Sequence, residues 1–151
     1  MSLEILNYSF WLRIIVAIIC GLSIGIERQI RGKPMGIRTC ILICLGTTLF
    51  IYLGLQINEG KDVARILGQV VTGIGFLGAG VIMMRGDIVS GVTSAAVVWL
   101  LAGIGAAIGM QYYDVALAVT MVALSILVGV EWLEKFYKGL RCGVHSKKKE
   151  E

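Results

Sequence analysis

A chain of 151 residues that is 57% hydrophobic and only 16% charged is too apolar for an ordinary soluble domain, where about a quarter of residues are charged. The net charge of +4 is a local bias of basic loops and calls for no nucleic-acid partner. Four cysteines without a C-x-x-C pair, and a lone His145 in a charged tail, form no zinc site. We therefore expect no metal, no cofactor and, with neither an acid–base pair nor an activated nucleophile, no enzyme.

The first apolar block, residues 8–26, is interrupted only by Arg13. Glu4 is the sole charge before Arg13, and no small-x-small cleavage site follows, so the block reads as a retained helix rather than a signal peptide. Ala17, Gly21 and Gly25 recur every fourth residue, the spacing that lets two membrane helices approach closely. Arg13 extends that stripe by one turn and is expected to snorkel to the outer surface. The span ends on Glu27 and Arg28, in a loop that also carries Arg31, Lys33 and Arg38.

The second span, 37–57, opens on Gly36-Ile-Arg38-Thr39. Its Cys40 and Cys44 lie one turn apart and read as small packing residues. The third span, 66–84, holds Gly68, Gln69 and Thr72 and then the stretch GIGFLGAG, whose glycines are Gly73, Gly75, Gly78 and Gly80. This contains G-x-G-x-x-G, the dinucleotide fingerprint, which needs a strand before it and an acidic residue about 20 positions later. No strand precedes it and Asp87 arrives too soon, so the glycines read as helix-packing residues. Gly68 with Thr72 and Gly75 with Ala79 form stripes, which place the third span at the centre of the bundle. So many glycines are also compatible with a discontinuous helix.

Arg85 marks the next turn. The fourth span, 92–110, opens on Gly91-Val-Thr93-Ser94 and carries Trp99 and Gly105. The fifth runs over 114–131, and residues 135–151 form a short basic tail after a membrane domain of residues 1–134. The fold class is thus an all-α membrane protein, a bundle of about five helices each near the length that crosses a bilayer. Eleven basic residues fall on the side of the first loop, the Arg85 turn and the tail, against Lys61 and Arg65 opposite. This bias puts the N-terminus outside and the C-terminus in the cytoplasm.

The two first turns at Gly36 and Gly91 echo each other. Helix N-termini with Arg28, Arg38 and Arg85 nearby could hold an anion, or a carboxylate such as Glu27. The plainer reading has Thr39, Thr93 and Ser94 bonding locally and Glu27 pairing with Arg38. Gln69 reads as an interhelical hydrogen bond.

In order and spacing, Gly21-x-x-x-Gly25-Ile-Glu27-Arg28, Gly36-Ile-Arg38-Thr39, Arg65, GIGFLGAG, Gly91-Val-Thr93-Ser94-Ala95-Ala96, Trp99 and Ala102-Gly-Ile-Gly105 resemble the MgtC/SapB family of bacterial inner-membrane proteins. The resemblance runs from about residue 10 to residue 130. It implies a multi-pass protein of the bacterial cytoplasmic membrane, linked to virulence, low magnesium and acid tolerance. It also implies inhibition of the F-type ATP synthase and regulation by a small membrane peptide. Family motif positions fall on Glu27, Arg28, Arg38, Thr39, Arg65, the four glycines, Thr93 and Trp99. Ser94 stands where the family has a second threonine. About 20 residues follow the last span, where the better-known virulence members carry a soluble domain, so the expectation is a membrane domain alone.

Two functions remain open from sequence. One is a modulator that meets a membrane-protein partner, a regulatory peptide or a second copy of itself through small-residue faces. The other is a transporter or channel with a path near Glu27, Arg38, Gln69, Thr72 and Thr93.

Overall fold

The computed structural model describes residues 8–57, 62–85 and 88–136. Five helices account for most of them: α1 (Tyr8–Ile30), α2 (Ile37–Gln56), α3 (Val63–Val81), α4 (Val92–Gly109) and α5 (Tyr113–Phe136). Each is long and apolar enough to cross a membrane.

The helices stop where the backbone can leave the right-handed well. Gly32 takes φ +60°, Lys33 N donates to Arg28 O and Gly32 N to Gln29 O, so α1 closes in a Schellman motif just before Pro34. At the end of α4 the same pair of bonds runs from Tyr112 N to Ala107 O and from Gln111 N to Ile108 O. There the left-handed residue is Gln111, at φ 69°, and its side chain is held by Ser9 Oγ at 2.8 Å.

Between α3 and α4 the chain forms a small antiparallel hairpin, β1 (Met83–Arg85) with β2 (Ile88–Ser90), in the register Met83↔Ser90 and Met84↔Val89. The expected third span to residue 84 is therefore three residues too long at this end, and α3 begins earlier, at Val63. Gly-Asp between two short apolar runs was the available signal. Gly91 then starts α4 at φ +89°; a Cβ there would sit 2.2 Å from the carbonyl oxygen of Val81, so only glycine fits.

The core lies between α1, α2 and α4. α2 is the central helix, packed chiefly on α1 on one side and α4 on the other, while α5 lies across α1 and α4. Glycines bring these backbones together. A Cβ on Gly21 would come within 2.7 Å of Ile41 Cα, and one on Gly25 within 2.6 Å of Ile37 Cα. Gly105 faces Cys44 O, and Gly109 faces Ile51, at similar range. Cys20, Cys40 and Cys44 are buried free thiols among these seams, consistent with packing.

The third span is not central. Of its membrane window only 6% is buried inside the protein, against 56% for α4, because α3 leans chiefly on α4 and only partly on α2. It is also one uninterrupted helix, not a discontinuous one.

Candidate functional site

At the hairpin end of the bundle, the last turn of α1 carries Glu27 and Arg28, and Arg31 follows directly after it. Arg28 is 2% exposed, and its Nη2 donates to Ser94 Oγ, itself 2% exposed in the first turn of α4. A guanidinium buried in a membrane protein needs such a partner, since an unpaired charge there is costly. The pairing is incomplete: Arg28 Nε and Glu27 Oε2 are both buried without a hydrogen-bond partner among the described residues. Glu27 Oε1 lies 2.6 Å from Arg31 Nε. That i,i+4 partner stands just past the end of α1, and Glu27 forms no pair with Arg38 among the described residues. Met35, in the turn between α1 and α2, is fully buried and belongs to the core. Thr48 and Cys44 knit α2 to α4 through bonds to the carbonyls of Gly105, 3.0 Å, and Leu101, 3.7 Å.

Other sequence candidates stand apart. Arg38, Thr39, Thr93 and Trp99 are exposed. Arg85 ends β1, and its side chain lies outside the described residues. The basic tail from residue 137 also lies outside them. At the opposite end, Arg65 pairs with Asp62 over 3.4 Å in an exposed position. So the two echoing first turns do not form one site: α4's receives Arg28, whereas α2's packs on Gly25 through Ile37, whose N–H donates to Gln29 Oε1.

Sequence reasoning missed Arg13. It does not snorkel; it is 7% exposed, with Nε donating to Gly109 O at 3.2 Å and Nη1 to Ser9 Oγ at 2.8 Å. Its guanidinium also lies 4.9 Å from the Tyr52 ring centroid. The available signal was its place on the Ala17–Gly21–Gly25 face, which faces protein.

The GIGFLGAG glycines divide among three surroundings. Gly78 meets Ala95 of α4, with its carbonyl 3.7 Å from an added Cβ. Gly73 lines a groove of about 600 Å³ between α2 and α3, with Thr39, Ile43, Gly46 and Phe50 opposite and Gln69 and Leu77 beside it. Gly75 and Gly68 meet nothing within 4 Å and share an exposed face with Thr72 and Ala79, and Gly80 is likewise open. Thr72 satisfies its hydroxyl locally on Gly68 O at 2.9 Å.

A bundle of five apolar helices, with an arginine buried near each end and close-packed glycine seams between, is a multi-pass membrane protein rather than a soluble fold. The chain belongs to the MgtC family, whose profile matches residues 14–136. This places it in the bacterial inner membrane, as the motif resemblance implied. It is 42% identical over 122 residues to Putative magnesium transporter YhiD of Escherichia coli K12, covering 76% of this chain and 56% of that protein. It is 40% identical over 124 residues to Protein MgtC of Salmonella typhimurium, covering 82% and 53%. With Protein SapB of Bacillus subtilis the identity is 34% over 131 residues, covering 81% and 55%. The chain thus spans little more than half the length of these relatives. No solved structure matches.

Proposed function

We propose that this protein is a membrane-embedded modulator that docks on a partner within the bilayer and supports growth in low magnesium, under acid stress or in a host. The observation that carries this reading is the free glycine face of α3, at Gly68, Thr72, Gly75 and Ala79, in contrast to the closely packed seams at Gly21, Gly25, Gly105 and Gly109. Small residues facing lipid give close backbone approach to an incoming helix. A proton-translocating complex such as the F-type ATP synthase is the partner that the family resemblance favours.

The relative named a putative magnesium transporter raises the competing reading, a flux pathway. The α2–α3 groove is the only support for it among the described residues, but that groove is lined mainly by apolar side chains.

Growth at limiting magnesium separates the two. A strain dependent on this chain is expected to lose growth when Gly75→Leu covers the free face, and to lose co-purification of its membrane partner with it. Magnesium uptake by proteoliposomes holding the purified protein alone would overturn the modulator reading.

A further inference from the structure

We infer that the groove between α2 and α3 holds one acyl chain of a phospholipid whose anionic phosphate is met by Arg38. The groove is apolar along its floor, where Ile43 and Ile74 are buried, and Gly46 and Gly73 leave its middle open, since neither would place a Cβ within 4 Å of anything. From Thr39 to Phe50 it runs 11 helical steps of α2, roughly 16 Å at the helical rise. That is about half of a hydrocarbon core of roughly 30 Å, the reach of a single leaflet.

The two ends of the groove differ. Beyond Phe50 the Ile66 side chain lies on Gly54, within 2.5 Å of where a Cβ would stand, and closes the cleft. A transmembrane helix needs a seat along the full span, whereas an acyl chain enters at one polar end and stops blind. At the other end Thr39 lines the groove, and Arg38 precedes it in the first turn of α2. Arg38 is exposed and forms no ion pair among the described residues, while the Ile37 N–H beside it donates to Gln29 Oε1 at 3.2 Å. An exposed arginine one residue before Thr39, at the polar end of an apolar slot, suits an anionic phosphate bound to a tail. The slot lies on the other side of α3 from Gly75, so this site and the docking face stand or fall separately.

Native mass spectrometry of the full chain in mild detergent tests the inference, with phosphatidylglycerol and phosphatidylcholine of identical chains as probes. One retained phosphatidylglycerol per chain is expected, favoured about tenfold over phosphatidylcholine, whose quaternary ammonium offsets the attraction of Arg38 for the phosphate they share. Arg38→Gln should remove that preference while leaving weak binding of both lipids. Gly46→Leu and Gly73→Leu, at positions with room for the new side chain, should each expel the lipid, whereas Gly75→Leu should keep it. The inference is overturned if the filled variants retain lipid, or if the preference survives Arg38→Gln. It is equally overturned if the wild type is a dimer that Gly73→Leu dissociates, which would give the groove to a second copy.

Discussion

Arg13, near the start of the first helix, donates from Nε to the carbonyl of Gly109, the last residue of the fourth, across 96 positions of sequence. Helix C-termini carry partial negative charge and unsatisfied carbonyls, so a buried cation there satisfies both needs at once. Ser9, bonded to Arg13 and to Gln111, completes the clasp around the α4 terminus, and the Tyr52 ring covers the guanidinium. Arg13→Ala should lower stability by about 2–4 kcal/mol, the sum of charge-assisted hydrogen bonds and a cation–π contact. Arg13→Lys should restore less than half, because an ammonium cannot reproduce the planar fork. Thermal unfolding in detergent reads both, and an unchanged midpoint for Arg13→Ala would refute the clasp.

Glycines of the same spacing are expected to behave oppositely on different helices. Gly25→Val places its new carbons against the α2 backbone at Ile37, which cannot yield as a side chain would. A loss of about 2 kcal/mol or more follows from such overpacking. Gly75→Val meets open space, and the gain in helix propensity should leave stability level or slightly raised. Parallel melting curves check the contrast; equal losses at the two sites would mean α3 is packed as tightly as α1.

The Arg28–Ser94 pair makes an unequal prediction about its two members. Ser94→Ala strands a buried guanidinium that already has an unsatisfied Nε, at a cost of about 1–3 kcal/mol. Arg28→Met removes the charge together with its demand, and Glu27 keeps Arg31. We expect the methionine variant to be the more stable of the two. Chemical unfolding of both proteins decides it, and the reverse order would show that Arg28 stabilises the fold beyond this one bond.

Orientation is the fourth prediction. We propose, from the excess of basic residues at the α1–α2 turn, that this end lies in the cytoplasm and the Arg13 end outside. A cysteine introduced at Lys33 should therefore escape a membrane-impermeant thiol reagent in intact cells, while one at Gln111 should react. Labelling in the opposite pattern would invert the topology.

Much of this fold was legible in the sequence because a bilayer imposes one-dimensional rules. Uncharged runs of crossing length can only be helices there, since every backbone polar group must be satisfied internally. The five spans, the close approach at Gly21, Gly25 and Gly105, and the family membership all follow from residues read in order. The Gly-Asp hairpin signal was present too, but three-residue strands are too short to register as alternation.

What the tertiary structure alone decided is which face each helix turns inward. A small-residue stripe has the same spacing whether it seats a neighbour or stands open, and GIGFLGAG does both, with Gly78 on Ala95 and Gly75 facing outward. Likewise Arg13 and Arg38 are both single cations at the edge of an apolar run. One is buried because the end of α4 comes to meet it; the other is exposed because no described residue does. Length, hydropathy and charge bias are properties of the chain and can be read along it. Partnership depends on which helix arrives beside which, and that is set only by the packing of all five.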